Sequence, residues 1–115
     1  MSSNTDLVRR HVAAFNAADA EALLADFAPE ATWVTGDHTV PSGGLREFFT
    51  TAMASVTPHL ELVRVIDGGN AVAAELTERW HHEGEDRSAA LVAVFDVTAG
   101  RIARAKIYRE GSAEA

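Results

Sequence analysis

A chain of 115 residues with 47% hydrophobic content has room for one domain around one core. A net charge of −7 repels phosphate backbones and sets nucleic-acid binding aside. The absence of cysteine excludes disulfides, thiolate metal sites and cysteine nucleophiles, and no apolar run is long enough to span a bilayer.

The opening MSSNTDLVRR has no apolar stretch of the kind an export signal needs, so a cytoplasmic location is expected. Residues 5 to 17 are predicted to be a helix capped by Thr5 or Asn4, with Leu7, Val8, His11, Val12 and Phe15 on one stripe. Asp19 caps a shorter helix reaching about Phe27, and Pro29 stops it. ATWVTG, residues 31 to 36, reads as a strand, and DHTVPSGG, residues 37 to 44, as a loop. A third helix is expected from Leu45 to Val56, with Leu45, Phe48, Phe49, Ala52 and Met53 inward and Pro58 beyond it.

The rest reads as β: strands over 60 to 66, 71 to 82, 87 to 97 and 101 to 109, separated by Gly-containing turns. The tail GSAEA is expected to be loose. The order α-α-β-α-β-β-β-β over residues 1 to 115 predicts a single α+β domain. In it a strongly bent, mostly antiparallel sheet forms a cone-shaped barrel covered by three N-terminal helices, with a pocket between the layers.

VRRHVAAFNAAD (8 to 19), LLADFAPEATW (23 to 33), GGLREFF (43 to 49) and VFDVTAGRIARAKIYRE (94 to 110) carry a resemblance to the nuclear transport factor 2-like superfamily. That superfamily includes ketosteroid isomerase, limonene epoxide hydrolase, scytalone dehydratase and the SnoaL-like cyclases. The resemblance implies a cone with a ligand cavity, often dimeric through the outer face of its sheet. The oxyanion-hole tyrosine of ketosteroid isomerase falls on His11, its general base on Thr35 and its second acid on Ala93. The T-E-R-x-D of the epoxide hydrolase reads TERWH here, so Arg79 matches while the two aspartates of that machinery fall on His81 and Ile107. Neither catalytic set is complete, and what the resemblance implies is a SnoaL-like protein of undefined substrate.

From the residues themselves, His11 is an imidazole inside an apolar stripe. It reads as an acid/base group at a ligand oxygen or as a satisfied core histidine. Asp37 is a candidate base two residues beyond Thr35, or a polar turn residue before Pro41. On the strand over 71 to 82, the more apolar face carries Val72, Ala74, Leu76, Glu78, Trp80 and His82. That face predicts Glu78 inward, whereas the epoxide-hydrolase match predicts Arg79 and His81 inward. A one-residue bulge would reconcile the two. Residues 83 to 86 read as a solvated hairpin tip.

Catalysis is accordingly assigned to His11, Asp37 and Glu78. The binding walls are assigned to Phe15, Trp33, Thr35, Phe49, Leu76, Arg79, Trp80, Ala93, Phe95, Ile107 and Arg109. No HExxH, G-x-S-x-G or phosphate-cradling loop is present, so neither metal nor organic cofactor is expected. The expected partners are a small, largely apolar, oxygenated molecule and a second copy of the chain. Isomerisation, cyclisation, dehydration and hydrolysis all fit, as does a non-catalytic binding module on the same scaffold.

Overall fold

A computed structural model describes residues 3 to 55 and 58 to 110. Helix α1 spans Asn4–Asn16, one residue earlier than expected, because Ser3 is its cap. The Ser3 hydroxyl accepts from the Asp6 N–H at 3.0 Å and the Asp6 carboxylate accepts from the Ser3 N–H at 3.4 Å, a reciprocal pair that satisfies two orphan donors. Two asparagines clamp α1 to the sheet. Asn16 pairs with both the N–H and the C=O of Leu60 at 2.8 Å, and Asn4 donates to Asp67 and the Gly69 carbonyl.

Helix α2, Ala20–Ala25, is capped by Asp19 as expected but ends before Asp26. The Asp26 carbonyl accepts from Ile102 N–H at 2.8 Å, which turns the chain into strand β1, Phe27–Thr35. Pro29 therefore lies within β1 instead of stopping a helix. It is tolerated because the register shifts between Phe27 and Thr32, a stretch where its missing N–H breaks no regular ladder.

The expected loop at 37 to 44 contains a short strand, β2 (His38–Val40), and a 3-10 turn over Ser42–Gly44. Thr35 pairs with His38, so Gly36 and Asp37 form a two-residue turn, with Gly36 at φ +57°. Helix α3 covers Leu45–Ser55; the expected end at Val56 and the GSAEA tail lie outside the described residues.

Strands β3 (His59–Asp67), β4 (Ala71–His82), β5 (Glu85–Thr98) and β6 (Arg101–Arg109) follow as consecutive antiparallel hairpins. Glu83-Gly84 and Ala99-Gly100 make their tight turns, all four residues at positive φ. The sheet order is β2-β1-β6-β5-β4-β3, with one parallel pairing, β1 to β6. The sheet is bent but open, so the barrel of the sequence reading is an unclosed cone with β2 and β3 as its edge strands.

The core lies between the helices and the inner face, with Val8, Leu23, Phe49, Val72 and Ile102 almost wholly buried. On the outer face Val92 and its cross-strand partner Tyr108 remain exposed, with the Lys106 ammonium 4.8 Å from the Tyr108 ring centroid. No helix among the described residues is long and apolar enough to cross a membrane.

Candidate functional site

A cavity of about 70 Å³ opens between α1 and the sheet. Helix α1 supplies His11, Val12 and Phe15, and β1 supplies Trp33. The sheet floor is Leu60 of β3, Leu76 and Glu78 of β4, Leu91, Ala93 and Phe95 of β5, and Ile107 and Arg109 of β6. The chamber is narrow, with room for roughly five to seven water-sized groups at about 10–15 Å³ each.

The floor follows from register. β4 and β5 pair without interruption from Ala71↔Asp96 to His82↔Glu85. Alternation is therefore unbroken along β4, no bulge flips its faces, and Val72, Ala74, Leu76 and Glu78 point inward. Arg79 is turned to the other side, half exposed and 4.0 Å from Glu61, and His81 is exposed beside Asp86. The wall role for Arg79 is thus corrected: the epoxide-hydrolase alignment requires a slip that the ladder does not contain.

Four further assignments are corrected. Asp37 is exposed at the tip of the β1–β2 turn, because the hairpin closes immediately after Thr35. Thr35 is half-buried at the strand end, outside the cavity wall. Phe49 is 2% exposed and packs behind the wall, its ring 4.9 Å from that of Trp33 and perpendicular to it. Trp80 lies in a surface groove with Arg79, Asp86, Arg87 and Ser88, because β4 runs past the chamber after Glu78. The stretch TERWHHEGE therefore contributes one cavity residue, Glu78, and is otherwise outer face, groove and hairpin tip.

Two polar pairs reach the otherwise apolar chamber, one with both members in its lining and one through His11 alone. Arg109 donates to Glu78 at 2.8 Å, with side chains 24% and 16% exposed. The second pair was not legible as such in the sequence. His11 Nδ1 lies 3.6 Å from Asp26 Oδ2, with side chains 6% and 4% exposed. Asp26 Oδ1 accepts from Arg10 Nε at 2.9 Å. Phe27 and Phe95 meet the His11 ring edge-on at 5.3 and 5.8 Å. A signal for Asp26 did exist: Leu23, Asp26 and Phe27 fall at i, i+3 and i+4, so the acid shares the inward stripe of the second helix and its continuation.

Burial alone would raise the Asp26 pKa. The His11 imidazole and the Arg10 guanidinium beside it outweigh that and hold the carboxyl below the usual carboxylate range. A carboxylate with a depressed pKa contributes stability that is complete above its unfolded-state pKa and is lost as pH falls through the folded value. Urea unfolding should therefore show a stability that declines below about pH 4. That decline should be shallower in Asp26→Asn. An unchanged acid limb in the variant would contradict the assignment.

The fold and chamber together define a class: an open α+β cone of the nuclear transport factor 2-like kind with a small cavity beneath its first helix. A family profile for the SnoaL-like domain matches residues 8–105, and the chain belongs to that family. No curated protein matches it. Among solved structures it is similar to a nuclear transport factor 2-like protein of unknown function from Burkholderia pseudomallei. The two are 21% identical with a TM-score of 0.85, over 96% of this chain and 92% of that one. It is similar to a putative polyketide cyclase from Sinorhizobium meliloti at 21% identity and a TM-score of 0.77, covering 90% and 94%. It also resembles TerC co-crystallised with polyporic acid, at 19% identity and a TM-score of 0.84, covering 95% and 92%. At these identities the likeness concerns the fold.

Proposed function

We propose that the protein is a small-molecule acid/base enzyme acting on a compact, largely apolar, oxygenated substrate. The observation that carries this reading is a single imidazole, His11, that lines a mainly apolar chamber and is backed by an anchored carboxylate, with the Arg109–Glu78 pair on the same walls. In the shared first step His11 takes a proton from a carbon beside a carbonyl, or from a hydroxyl. With a carbonyl substrate the electron pair moves to the carbonyl oxygen, and the Arg109 guanidinium is the group suited to stabilise that charge. Return of the proton to a different carbon completes an isomerisation without an outside reactant. Cyclisation would begin with the same enolate.

The experiment is a screen of small ketones, hydroxyketones and lactones against the purified chain, read by NMR for new product signals. Conversion that disappears in His11→Gln supports the reading. A compound that binds in the cavity and is never converted favours a binding module, a reading supported by Glu78 already occupying Arg109.

The partner we propose is a second copy, docked through the outer sheet face around Val92 and Tyr108. Their exposure of 36% and 49% on adjacent strands supports it. Sedimentation equilibrium should report a dimer that Val92→Arg dissociates; a monomer at all concentrations would overturn it.

A further inference from the structure

We infer that Asp26 is a positioning residue that fixes the tautomer of His11, holding a proton on Nδ1 and leaving Nε2 as a bare acceptor for the cavity. The inference rests on the reading of His11 as the acid/base group, and it narrows that reading to chemistry in which His11 begins as a base.

The argument is one of satisfaction. His11 Nδ1 and Asp26 Oδ2 are both buried, both without a hydrogen-bond partner, and 3.6 Å apart. Were Nδ1 to carry its lone pair, two acceptors would confront each other in a site closed to water, and both would stay unsatisfied. A proton on Nδ1 satisfies both atoms at once. The separation exceeds an ordinary N–H···O bond by about half an ångström, which a small turn of the imidazole closes.

The carboxylate is not free to turn away. Its other oxygen is bound by Arg10 Nε at 2.9 Å, and its own carbonyl is tied to Ile102 N–H at 2.8 Å. Arg10 also favours the ionised form, so Asp26 accepts a hydrogen bond without taking the proton. The Phe27 and Phe95 rings, both near-perpendicular to the imidazole, confine its plane. The other charged groups of the chamber, Glu78 and Arg109, are bound to each other.

The ring edge away from Asp26 carries Nε2. A neutral imidazole with a bare Nε2 accepts a proton and has none to give there. The first step is thus proton removal from a carbon acid or hydroxyl, not protonation of an epoxide oxygen. The imidazolium formed is stabilised by the carboxylate at Nδ1 and returns the same proton later.

Long-range ¹⁵N–¹H correlation NMR on the full chain at neutral pH tests this without any substrate. The His11 ring is assigned by its loss in His11→Gln. The expected spectrum shows a neutral His11 protonated at Nδ1 alone. In Asp26→Asn, whose amide can donate or accept, the Nε2-protonated form should appear as a substantial population. A wild-type ring protonated at Nε2, or doubly protonated, overturns the inference, as does an Asp26→Asn spectrum with the same exclusive Nδ1 proton. Should Asp26→Asn not fold, the wild-type spectrum alone still decides. A ring protonated at Nδ1 alone in a protein that converts nothing would sink the enzyme reading and leave the tautomer standing. Conversion with the proton on Nε2 would do the reverse.

Discussion

His11→Gln is expected to lower turnover of any converted substrate by about 10²–10⁴-fold, the usual contribution of a general base. Glutamine roughly preserves the volume and can still meet Asp26 with its amide, so the fold should persist and circular dichroism should match the wild type. The loss then belongs to proton transfer, because the substituted side chain has no group that titrates near neutrality. Asp37→Asn is the internal contrast. Asp37 sits exposed on the β1–β2 turn, outside the chamber, and its replacement should leave turnover unchanged. The opposite pattern, with Asp37 sensitive and His11 indifferent, would move the chemistry to the hairpin and away from the cone.

Phe49→Ala is expected to destabilise the fold by about 3–5 kcal/mol, measured as a shift in the urea midpoint with an unchanged slope. Phe49 is 2% exposed and is the hub of an aromatic cluster. Its ring lies 4.9 Å from Trp33, 5.1 Å from Phe48 and 5.8 Å from Phe27. Truncation removes the transfer energy of the ring and leaves a void where α3 meets β1. Trp33, a cavity wall, would lose its backing, so ligand affinity should fall along with stability. A cost below about 1 kcal/mol would mean that α3 collapses onto the gap and that the wall is soft.

The scaffold was legible because its signals are local and redundant. Gly84 and Gly100 mark tight hairpins at fixed points, and the α1 stripe through Leu7, Val8, His11 and Val12 has the helical period. β2 escaped because three residues in a Pro- and Gly-rich stretch show no period, and their partner, β1, is what makes them a strand. Pro29 misled for a similar reason. Its tolerance inside β1 depends on a register shift against β6, a pairing remote in sequence.

The site divides along the same line. His11, Leu76, Glu78, Ile107 and Arg109 could be placed from periodicity within their own elements, and each lines the chamber. Asp26 could not be understood without its partners. Arg10, His11 and the Ile102 amide reach it from α1 and β6, and only the assembled fold shows an acid left 4% exposed. Trp80 failed in the other direction: alternation gives the face of a side chain but not how far along the strand the roof extends.

Whether the chamber beneath the first helix is where small molecules are bound and turned over can be read in one titration. Chemical-shift mapping of the labelled protein with the best-converted compound should move His11, Trp33, Leu76, Glu78 and Ile107 together. Ala93→Phe, which fills the floor, should abolish both those shifts and the conversion. Shifts confined to the surface groove between α1 and β3, lined by Thr5, Arg9, Asn16 and Arg64, or conversion that survives the filled cavity, would contradict the account.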